Sequence, residues 1–255
     1  YDIVIIDDGS TDNTSDWVSK HYPNTNIICG DGNLWWSGSI NLGVNYSLDH
    51  LNPNYIMFWN DDLIIESEYF CALEKIVINE KFKNSIIASK IFYENEKERI
   101  FYNGAFIDTK NGKLYHNRHD NQNSTNEIEC DWSGGMGVVF PISVFNKIGL
   151  VDNVNFPQYY GDVDFTLRAK KTGFKIYCHK ELELFNDRNS TGIHNDGSLL
   201  KYLQGLSSLR SAYNLKVDIK IAFKYFSPFL AIKFILWKHL IYLLKLFKNK
   251  FQFII

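Results

Sequence analysis

The sequence predicts an α/β protein with a mixed, mostly parallel sheet flanked by helices. Short apolar runs of strand length, "DIVIID", "TNIIC" and "YIMFWN", alternate with stretches of helical periodicity. Turn-forming residues separate these runs, and the alternation is typical of crossover units in a parallel sheet. The 255 residues are 45% hydrophobic and 22% charged, which suffices for one α/β domain with a core, or one domain and an appendage.

The first half of the chain predicts three helices and one loop around those strands. The helices cover 15–21, ending before Pro23, then about 40–51, and the segment "EYFCALEKIVINEKF". The third helix is amphipathic, with Phe70, Leu73, Ile76 and Val77 on one face. The stretch "GDGNLWWSGS" predicts a glycine-rich loop between the second strand and the second helix.

The pattern changes between residues 86 and 130, where short strands are joined by Asn-Gly turns at 103–104 and 111–112. Such turns are typical of antiparallel hairpins. The chain then returns to the α/β pattern, with a strand in "MGVVFP", a helix at about 143–148, a helix from Asp162 to about Thr172, and a strand in "KIYC".

Composition narrows the class of function. A net charge of −2 gives no reason to expect nucleic acid as a partner. The four cysteines lie far apart and form no CxxC pair, which favours reduced thiols in a cytosolic compartment. The first residues are "YDIVIIDD", without a signal peptide and without an initial Met.

The last part of the chain predicts a separate element. We expect one domain over 1–218 and a basic amphipathic helical tail over 219–255, whose apolar stretch has seven lysines and no acidic residue. On a helix from Pro228, four lysines fall on one side: Lys233, Lys238, Lys245 and Lys248. Apolar residues fall on the other: Ala231, Ile232, Ile235, Leu236, Leu243 and Leu246. The profile fits an interfacial helix on anionic lipid, and the alternative is an arm docked on the domain or on a second copy.

Acidic residues follow three strand-like or turn-like signals, in "IIDD", "FWNDD" and "YYGDVDF". Each cluster alone is explained by turn formation or helix capping. In open α/β sheets, however, the ligand crevice lies beyond the carboxyl ends of the strands, so these clusters are expected to meet there. Adjacent carboxylates such as Asp61 and Asp62 also suit Mg²⁺ or Mn²⁺, which bind a few carboxylates together with substrate phosphates.

These motifs resemble those of the family-two inverting glycosyltransferases, which have the GT-A fold and use nucleotide-diphosphate sugars. The resemblance runs from Tyr1 to about Gly192. It rests on "VIIDDGSTD" for the nucleotide, on "FWNDD" as a variant of the Asp-x-Asp metal motif, and on "YYGDVDF" for the base. The segment "GNLWWSGSINLG" is similar to the branch that contains bacterial rhamnosyltransferases.

The resemblance implies roles for the acidic residues and for one histidine. Asp162 would be the catalytic base that takes a proton from the acceptor hydroxyl. Asp62 would hold Mg²⁺ or Mn²⁺ at the diphosphate, Asp61 would contact the ribose or the metal's waters, and Asp8 would contact the nucleobase. His194 would complete the metal site, and its alternative is a solvated loop histidine.

Other positions match the family, and each has a plain structural alternative. Gly134 and Gly135 in "DWSGGMG" would let the backbone approach the donor sugar, or form a turn before a strand. Trp132 would stack on the acceptor. Trp35 and Asn41 would contact the nucleotide-sugar, with helix packing as the competing role. Arg168 and Asp164 are interpreted as structural, since residues two apart on a helix do not face each other and Asp164 cannot point where Asp162 does.

The resemblance also implies the setting of the reaction. The donor would be a dTDP- or UDP-sugar and the acceptor a glycan or a lipid-linked hydroxyl, in bacterial surface polysaccharide synthesis. The enzyme would be cytoplasmic and peripheral on the inner face of the plasma membrane. Two departures are Gly161, where the family more often has Glu, and the first strand and helix of the family, which do not precede Tyr1 here. The alternatives are a sugar-nucleotide nucleotidyltransferase and a degenerate, non-catalytic sugar-binding protein.

Overall fold

The computed structural model describes residues 1–120, 125–186 and 198–251, with side chains described up to residue 244. The strands are β1 (Val4–Asp7), β2 (Asn26–Cys29), β3 (Tyr55–Phe58), β4 (Leu63–Ile65), β5 (Ile86–Tyr93), β6 (Glu96–Tyr102), β7 (Ala105–Asp108), β8 (Lys113–His116), β9 (Glu127–Cys130), β10 (Val138–Pro141) and β11 (Ile176–Asn186). The helices are α1 (Thr14–His21), α2 (Trp35–His50), α3 (Tyr69–Val77), α4 (Ile142–Ile148), α5 (Gly161–Lys171), α6 (Leu199–Gly205), α7 (Leu215–Tyr225) and α8 (Pro228–Phe251). A short 3₁₀ turn covers Glu80–Phe82.

The strands form a two-stranded parallel sheet, β1 with β2, and a seven-stranded mixed sheet. The main path of the larger sheet is β3-β10-β5-β11-β4, with β6 paired to β5 and β9 paired to β11. The hairpin β7–β8 forms a third, two-stranded sheet. The α/β class and the mixed sheet flanked by helices are as predicted, and so is the Asn111-Gly112 turn, which closes the hairpin β7–β8 with a positive φ at Gly112. Gly104 also has positive φ, but residues 103–104 form no hairpin, because β6 pairs with β5 and β7 pairs with β8.

The prediction that most neighbouring strands pair in parallel is wrong. Only β1–β2 and β5–β11 pair in parallel among the described strands, and the other pairs are antiparallel. Because β10 is antiparallel to both β3 and β5, the strands β3, β5 and β11 run in one direction with β10 reversed between them. Apolar runs reveal strands but not their direction, since a reversed central strand is as apolar as a parallel one.

The core lies between the seven-stranded sheet and the helices α3, α4 and α5. Its centre is a group of rings, Phe58, Phe140, Phe145 and Phe165, with centroids 4.5 to 6.1 Å apart. Burying aromatic side chains is the largest single source of apolar burial in such a domain. Because Phe58 ends β3 and Phe165 belongs to α5, this core fixes the end of β3 beside α5.

Two helices differ from the prediction in detail. Helix α2 begins at Trp35, five residues before the predicted start, so the second half of the predicted glycine-rich loop is helical. In α3 the buried residues are Tyr69, Leu73 and Ile76, whereas Phe70 is 36% exposed. The 3.6-residue period fits either Tyr69 or Phe70 on the apolar face. The ring of Trp59 lies beside both, and Tyr69 is the one that turns inward, with its hydroxyl 2.7 Å from the buried Ser89 Oγ.

The C-terminal helices are part of the folded body. The predicted boundary after residue 218 is wrong, because it falls inside α7, which packs against α8. The inner face of α8 is buried at Ala231, His239 and Tyr242. Lys238 also faces inward, so the predicted lysine side of the tail does not face solvent throughout. In the part of the chain that the structure describes, no helix is both long and apolar enough to cross a bilayer.

Candidate active site

The first turn of α2 is the meeting point of three distant segments. Trp35 donates its backbone N–H to Asp8 after β1, and Trp36 donates its indole N–H to Asn60 after β3, at 3.2 and 3.1 Å. The backbone N–H of Trp36 also donates to Gln158 Oε1 at 3.0 Å, in the loop before α5. The ends of β1 and β3 and the beginning of α5 are therefore held together, as the acidic clusters predicted.

Asp8 organises the loop that leads into α2. Its Oδ1 accepts the backbone N–H of Gly32, and its Oδ2 accepts those of Leu34 and Trp35. The first N–H groups of a helix have no partner within the helix, and Asp8 serves as their cap from another element. Asp8 is half-buried, and its contact with the nucleobase stays a prediction.

Trp36 connects the segment after β3 to the loop that carries Gly134 and Gly135. Its ring lies so close to Gly135 that a Cβ on that residue would be 2.1 Å from Trp36 Cζ2. Only glycine fits there. The chain of contacts from Asn60 through Trp36 and Gly135 continues to Asp162, because the backbone N–H of Gly135 donates to Asp162 Oδ2 at 2.9 Å.

Asp162 is held by backbone groups and by no described cation. Its Oδ1 accepts the N–H of Val163 at 2.8 Å, and its Oδ2 accepts that of Gly135. Burial raises the pKa of Asp162 above its ordinary value, and the two backbone hydrogen bonds only partly oppose this effect. A carboxylate with a raised pKa in a cleft is suited to accept a proton.

Asp164, two residues on, has a different environment. It is fully buried, and its carboxylate pairs with Arg168 Nε at 3.0 Å and with Lys224 Nζ at 2.6 Å. Tyr225 donates its hydroxyl to the same carboxylate at 2.8 Å. Arg168 also donates to the carbonyls of Ile148 and Leu150, so it joins α5 to the loop after α4. The structural interpretation of Asp164 and Arg168 is confirmed.

Gly161 replaces the family's glutamate for a steric reason. A Cβ at this position would lie 2.2 Å from Ser37 Oγ and 3.1 Å from the carbonyl of Phe156. Ser37 is buried and donates its hydroxyl to that carbonyl at 2.5 Å. The close approach of α2 to α5 therefore excludes any side chain at 161.

The carboxylates of Asp61 and Asp62, after β3, suit a divalent cation that prefers oxygen ligands, such as Mg²⁺ or Mn²⁺. Asp61 is exposed, and Asp62 is half-buried with its Oδ1 shielded from solvent. Among the described residues, no three His, Cys, Asp or Glu side chains cluster as a metal site. However, a protein usually supplies only one or two carboxylate ligands to Mg²⁺ when substrate phosphates supply other ligands. His194 lies outside the described residues.

Two predicted contact residues have packing roles here. The amide of Asn41 exchanges two hydrogen bonds with the backbone of Val151, donating to its carbonyl at 2.8 Å and accepting its N–H at 3.0 Å. Trp132 is 5% exposed and donates its indole N–H to the carbonyl of Phe106. A buried ring offers no face to a sugar, so the structure favours core packing over acceptor stacking for Trp132. Trp35 is half-buried at the site and has φ 57°.

Sequence reasoning missed several residues that assemble the site. Gln158 and Ser37 make inter-segment hydrogen bonds of the site, and Tyr160 caps α5 with φ 65°. Trp36 shares the prediction made for Trp35, a sugar contact or helix packing, and its hydrogen bond to Asn60 is an additional role. Left-handed φ is uncommon in residues other than glycine, and it tends to occur at functional sites. The doubled aromatics "WW" and "YY" immediately before two helices were the available signal, because an aromatic pair at a helix start has no capping value.

Comparison with known proteins identifies the family. Residues 1–138, more than half of the chain, match the model of glycosyl transferase family 2. The chain therefore belongs to glycosyl transferase family 2.

Two relatives and one solved structure illustrate the similarity. The chain is 28% identical over 185 residues to the low-salt glycan biosynthesis hexosyltransferase Agl10 of Haloferax volcanii, covering 69% of this chain and 55% of the relative. It is 21% identical over 182 residues to the dTDP-rhamnosyl transferase RfbF of Shigella flexneri, covering 71% and 58%. The crystal structure of GalNAc-T7 with UDP, GalNAc and Mn²⁺ has a similar fold, with TM-score 0.55 and 10% identity over 73% of this chain and 37% of that chain.

This chain spans a little over half the length of those two relatives. The solved structure has a GT-A glycosyltransferase fold, and at its low identity the likeness concerns the fold alone. The predicted family and fold are thus confirmed, and the roles of individual residues stay predictions.

Proposed function

We propose that this protein is a metal-dependent inverting glycosyltransferase. It moves a sugar from a nucleotide-diphosphate donor, a dTDP- or UDP-sugar, to a hydroxyl of a glycan or lipid-linked acceptor in bacterial surface polysaccharide synthesis. Family membership supports the reaction class, and the two relatives' names, a hexosyltransferase of glycan biosynthesis and a dTDP-rhamnosyl transferase, support the donor and acceptor classes.

One observation carries the proposal: the contacts from Asn60 through Trp36 and Gly135 to Asp162. They join the proposed metal segment after β3 to the proposed base at the start of α5. An inverting transfer needs both in one crevice, since the diphosphate leaves from one side of the anomeric carbon while the acceptor attacks from the other.

Asp162 would act as the general base. In this role its carboxylate accepts the proton of the acceptor hydroxyl while that oxygen forms a bond to the anomeric carbon. The bond between the anomeric carbon and the diphosphate oxygen breaks with its electron pair, and the configuration inverts. The backbone N–H groups of Gly135 and Val163 fix the carboxylate, so that little reorganisation is needed during the reaction.

Asp62 is the proposed protein ligand of Mg²⁺ or Mn²⁺, with Asp61 beside it. The chemistry that such an ion supplies when bound is neutralisation of the charge that develops on the leaving diphosphate. Asp8, Trp35, Gly134 and Gly135 would line the nucleotide-sugar side of the crevice. The Gly134 backbone leaves room for a ligand, because a Cβ added there would have Asp162 Oδ2 as its nearest neighbour, at 3.5 Å.

The Asp162→Asn variant tests the reaction. A screen of dTDP-rhamnose and UDP-sugars with the full chain first selects the donor. For the variant we expect kcat for nucleoside-diphosphate release to fall at least about 100-fold, the contribution typical of a general base. Donor affinity, measured by calorimetry with Mn²⁺ present, should stay within about threefold, because Asn keeps the shape of the side chain.

Turnover at the wild-type rate by Asp162→Asn would remove Asp162 from the base role. The Glu181→Gln variant is the matched control, since Glu181 is an exposed residue of β11 whose carboxylate accepts a hydrogen bond from Asn126 and none from a residue of the proposed site among those described. It removes one carboxylate of similar chemistry and should keep full activity.

We also propose peripheral association with anionic membrane through the outer face of α8. This face is an apolar stripe at helical spacing, formed by Phe229, Ile232, Leu236, Trp237, Leu240 and Leu244. Phe229, Leu236 and Trp237 are 77%, 65% and 58% exposed. The stripe is accompanied by lysines and by no acidic residue from Pro228 to Ile255, which favours an anionic lipid surface over a neutral one.

Sedimentation with phosphatidylglycerol-containing vesicles tests this association. The double variant Leu236→Glu, Trp237→Glu should lose vesicle binding at least about tenfold, because it places two carboxylates in the stripe. Ile78→Glu is the control, since Ile78 is 72% exposed at the end of α3 and outside the stripe. Equal sedimentation of the wild type and the double variant would contradict the proposal, as would a dimer in solution that the double variant dissociates.

A further inference from the structure

A buried chain of polar contacts connects α8 to the first turn of α5. Lys238 of α8 donates from Nζ to the hydroxyl of Tyr160 at 3.0 Å, to Asp218 Oδ1 at 2.6 Å and to the carbonyl of Ala212 at 2.6 Å. All three ammonium protons therefore have acceptors. Tyr160 immediately precedes Gly161 and Asp162.

The network continues behind Lys238, away from the site. Asp218 is fully buried, and its Oδ2 lies 3.1 Å from His239 Nε2. His239 Nδ1 lies 2.9 Å from the hydroxyl of Tyr202 in α6. A buried carboxylate is costly unless it is paired, so Asp218 requires Lys238 in this position. Because one ammonium group binds both partners, its ion pair with Asp218 holds it beside the Tyr160 hydroxyl.

Tyr160 is the residue whose conformation sets the start of α5. It is the N-cap, its φ of 65° is in the left-handed region, and its carbonyl accepts the N–H of Asp164 at 2.8 Å. A tyrosine in this conformation costs free energy and persists only where the surroundings hold it. Burial, together with the charges of Asp218 and Asp162, raises the pKa of its hydroxyl, which keeps that group neutral and able to accept from Lys238.

We propose that Lys238 is a positioning residue for Asp162, acting through Tyr160. The inference rests on the proposed function, in which Asp162 is the base. It makes α8 a working part of the active site: its inner face fixes the turn that carries the base, while its outer face is the apolar stripe. Misplacing a reacting group by about 1 Å costs up to about 100-fold in rate, so the contact is expected to act on kcat.

Steady-state kinetics with the selected donor, dTDP-rhamnose or a UDP-sugar, tests the inference in the full chain. Tyr160→Phe removes only the hydroxyl that Lys238 binds, and we expect kcat to fall about tenfold with donor KM within about twofold. For Lys238→Met we expect a larger fall in kcat than for Tyr160→Phe. The double variant should be no slower than Lys238→Met alone, because both substitutions break the same link.

Tyr202→Phe is the matched control. It removes another hydroxyl of the network, at the far end from Asp162, where it lies 2.9 Å from His239 Nδ1, and should leave kcat unchanged, even if thermal stability drops. Wild-type kcat in Tyr160→Phe, or an equal loss in Tyr202→Phe, would overturn the positioning role. Full turnover by Asp162→Asn would instead overturn the proposed function, so the two failures are distinguishable.

Discussion

Asp162 and Asp164 lie in the same turn of α5, yet their surroundings are opposite. Asp164 is fully buried between Arg168, Lys224 and Tyr225, which satisfy its carboxylate from two helices. Asp162 is half-buried, and the groups that its carboxylate accepts from among the described residues are two backbone N–H groups, of Val163 and Gly135. One carboxylate is neutralised by the protein, whereas the other keeps its capacity to accept a proton.

The comparison shows that sequence position alone does not make a carboxylate catalytic. Both aspartates can serve the positive end of the helix dipole. The difference lies in what the neighbouring elements bring: α7 brings a cation and a hydroxyl to Asp164, and the loop before β10 brings a glycine N–H to Asp162. Three substitution experiments address this difference.

The largest effect on stability is expected for Asp164→Asn. It leaves Arg168 and Lys224 without their buried counter-charge, and both are partly exposed, which lessens the cost. We expect a loss of about 2–3 kcal/mol in the free energy of unfolding, measured by urea denaturation. Asp162→Asn should cost less, about 1 kcal/mol, because it breaks no described ion pair and loses one of two backbone hydrogen bonds, since the amide nitrogen cannot accept an N–H. Equal losses in the two variants would remove the distinction between them.

A smaller effect is expected for Gly135→Ala. The new Cβ would meet the ring of Trp36 at 2.1 Å, so either the ring or the loop must move. We expect a loss of about 1–2 kcal/mol in stability from overpacking. Donor turnover should fall at least about tenfold, because the N–H that holds Asp162 is displaced.

Gly134→Ala is the control for that variant. Its Cβ would have only an ordinary contact, 3.5 Å from Asp162 Oδ2. Stability should therefore stay near the wild-type value. Equal losses of stability in Gly134→Ala and Gly135→Ala would contradict the close fit of Trp36 over Gly135.

The sequence was sufficient for the parts of the fold that depend on local patterns. The alternation of apolar runs and helices, the Asn-Gly turn at 111–112, and the antiparallel pairs β5–β6 and β7–β8 of the middle segment are as predicted. The Asn-Gly pair at 103–104 instead links strands of two different sheets. The convergence of the acidic clusters followed from a general rule for strand ends, and the first turn of α2 shows how it occurs here.

The parts that failed depend on tertiary contacts. The reversed strand β10 has no periodic signature, and the start of α2 at Trp35 is stabilised by Asp8, which follows β1 and accepts the N–H groups of Leu34 and Trp35. The domain boundary at 218 followed a change in composition, but Asp218 itself is buried by Lys238 and His239. Likewise, Trp132 has the kind of aromatic side chain that stacks on sugars, and its burial in the structure places it in the core instead.

The most direct test is a crystal structure of the full chain with Mn²⁺ and UDP or dTDP. We expect an anomalous manganese peak at the Asp62 carboxylate, shared with the diphosphate oxygens, and the open side of the diphosphate facing Asp162. A nucleotide bound away from the first turn of α2, or a peak without Asp62 as ligand, would show that the strand-end acids do not serve one diphosphate crevice.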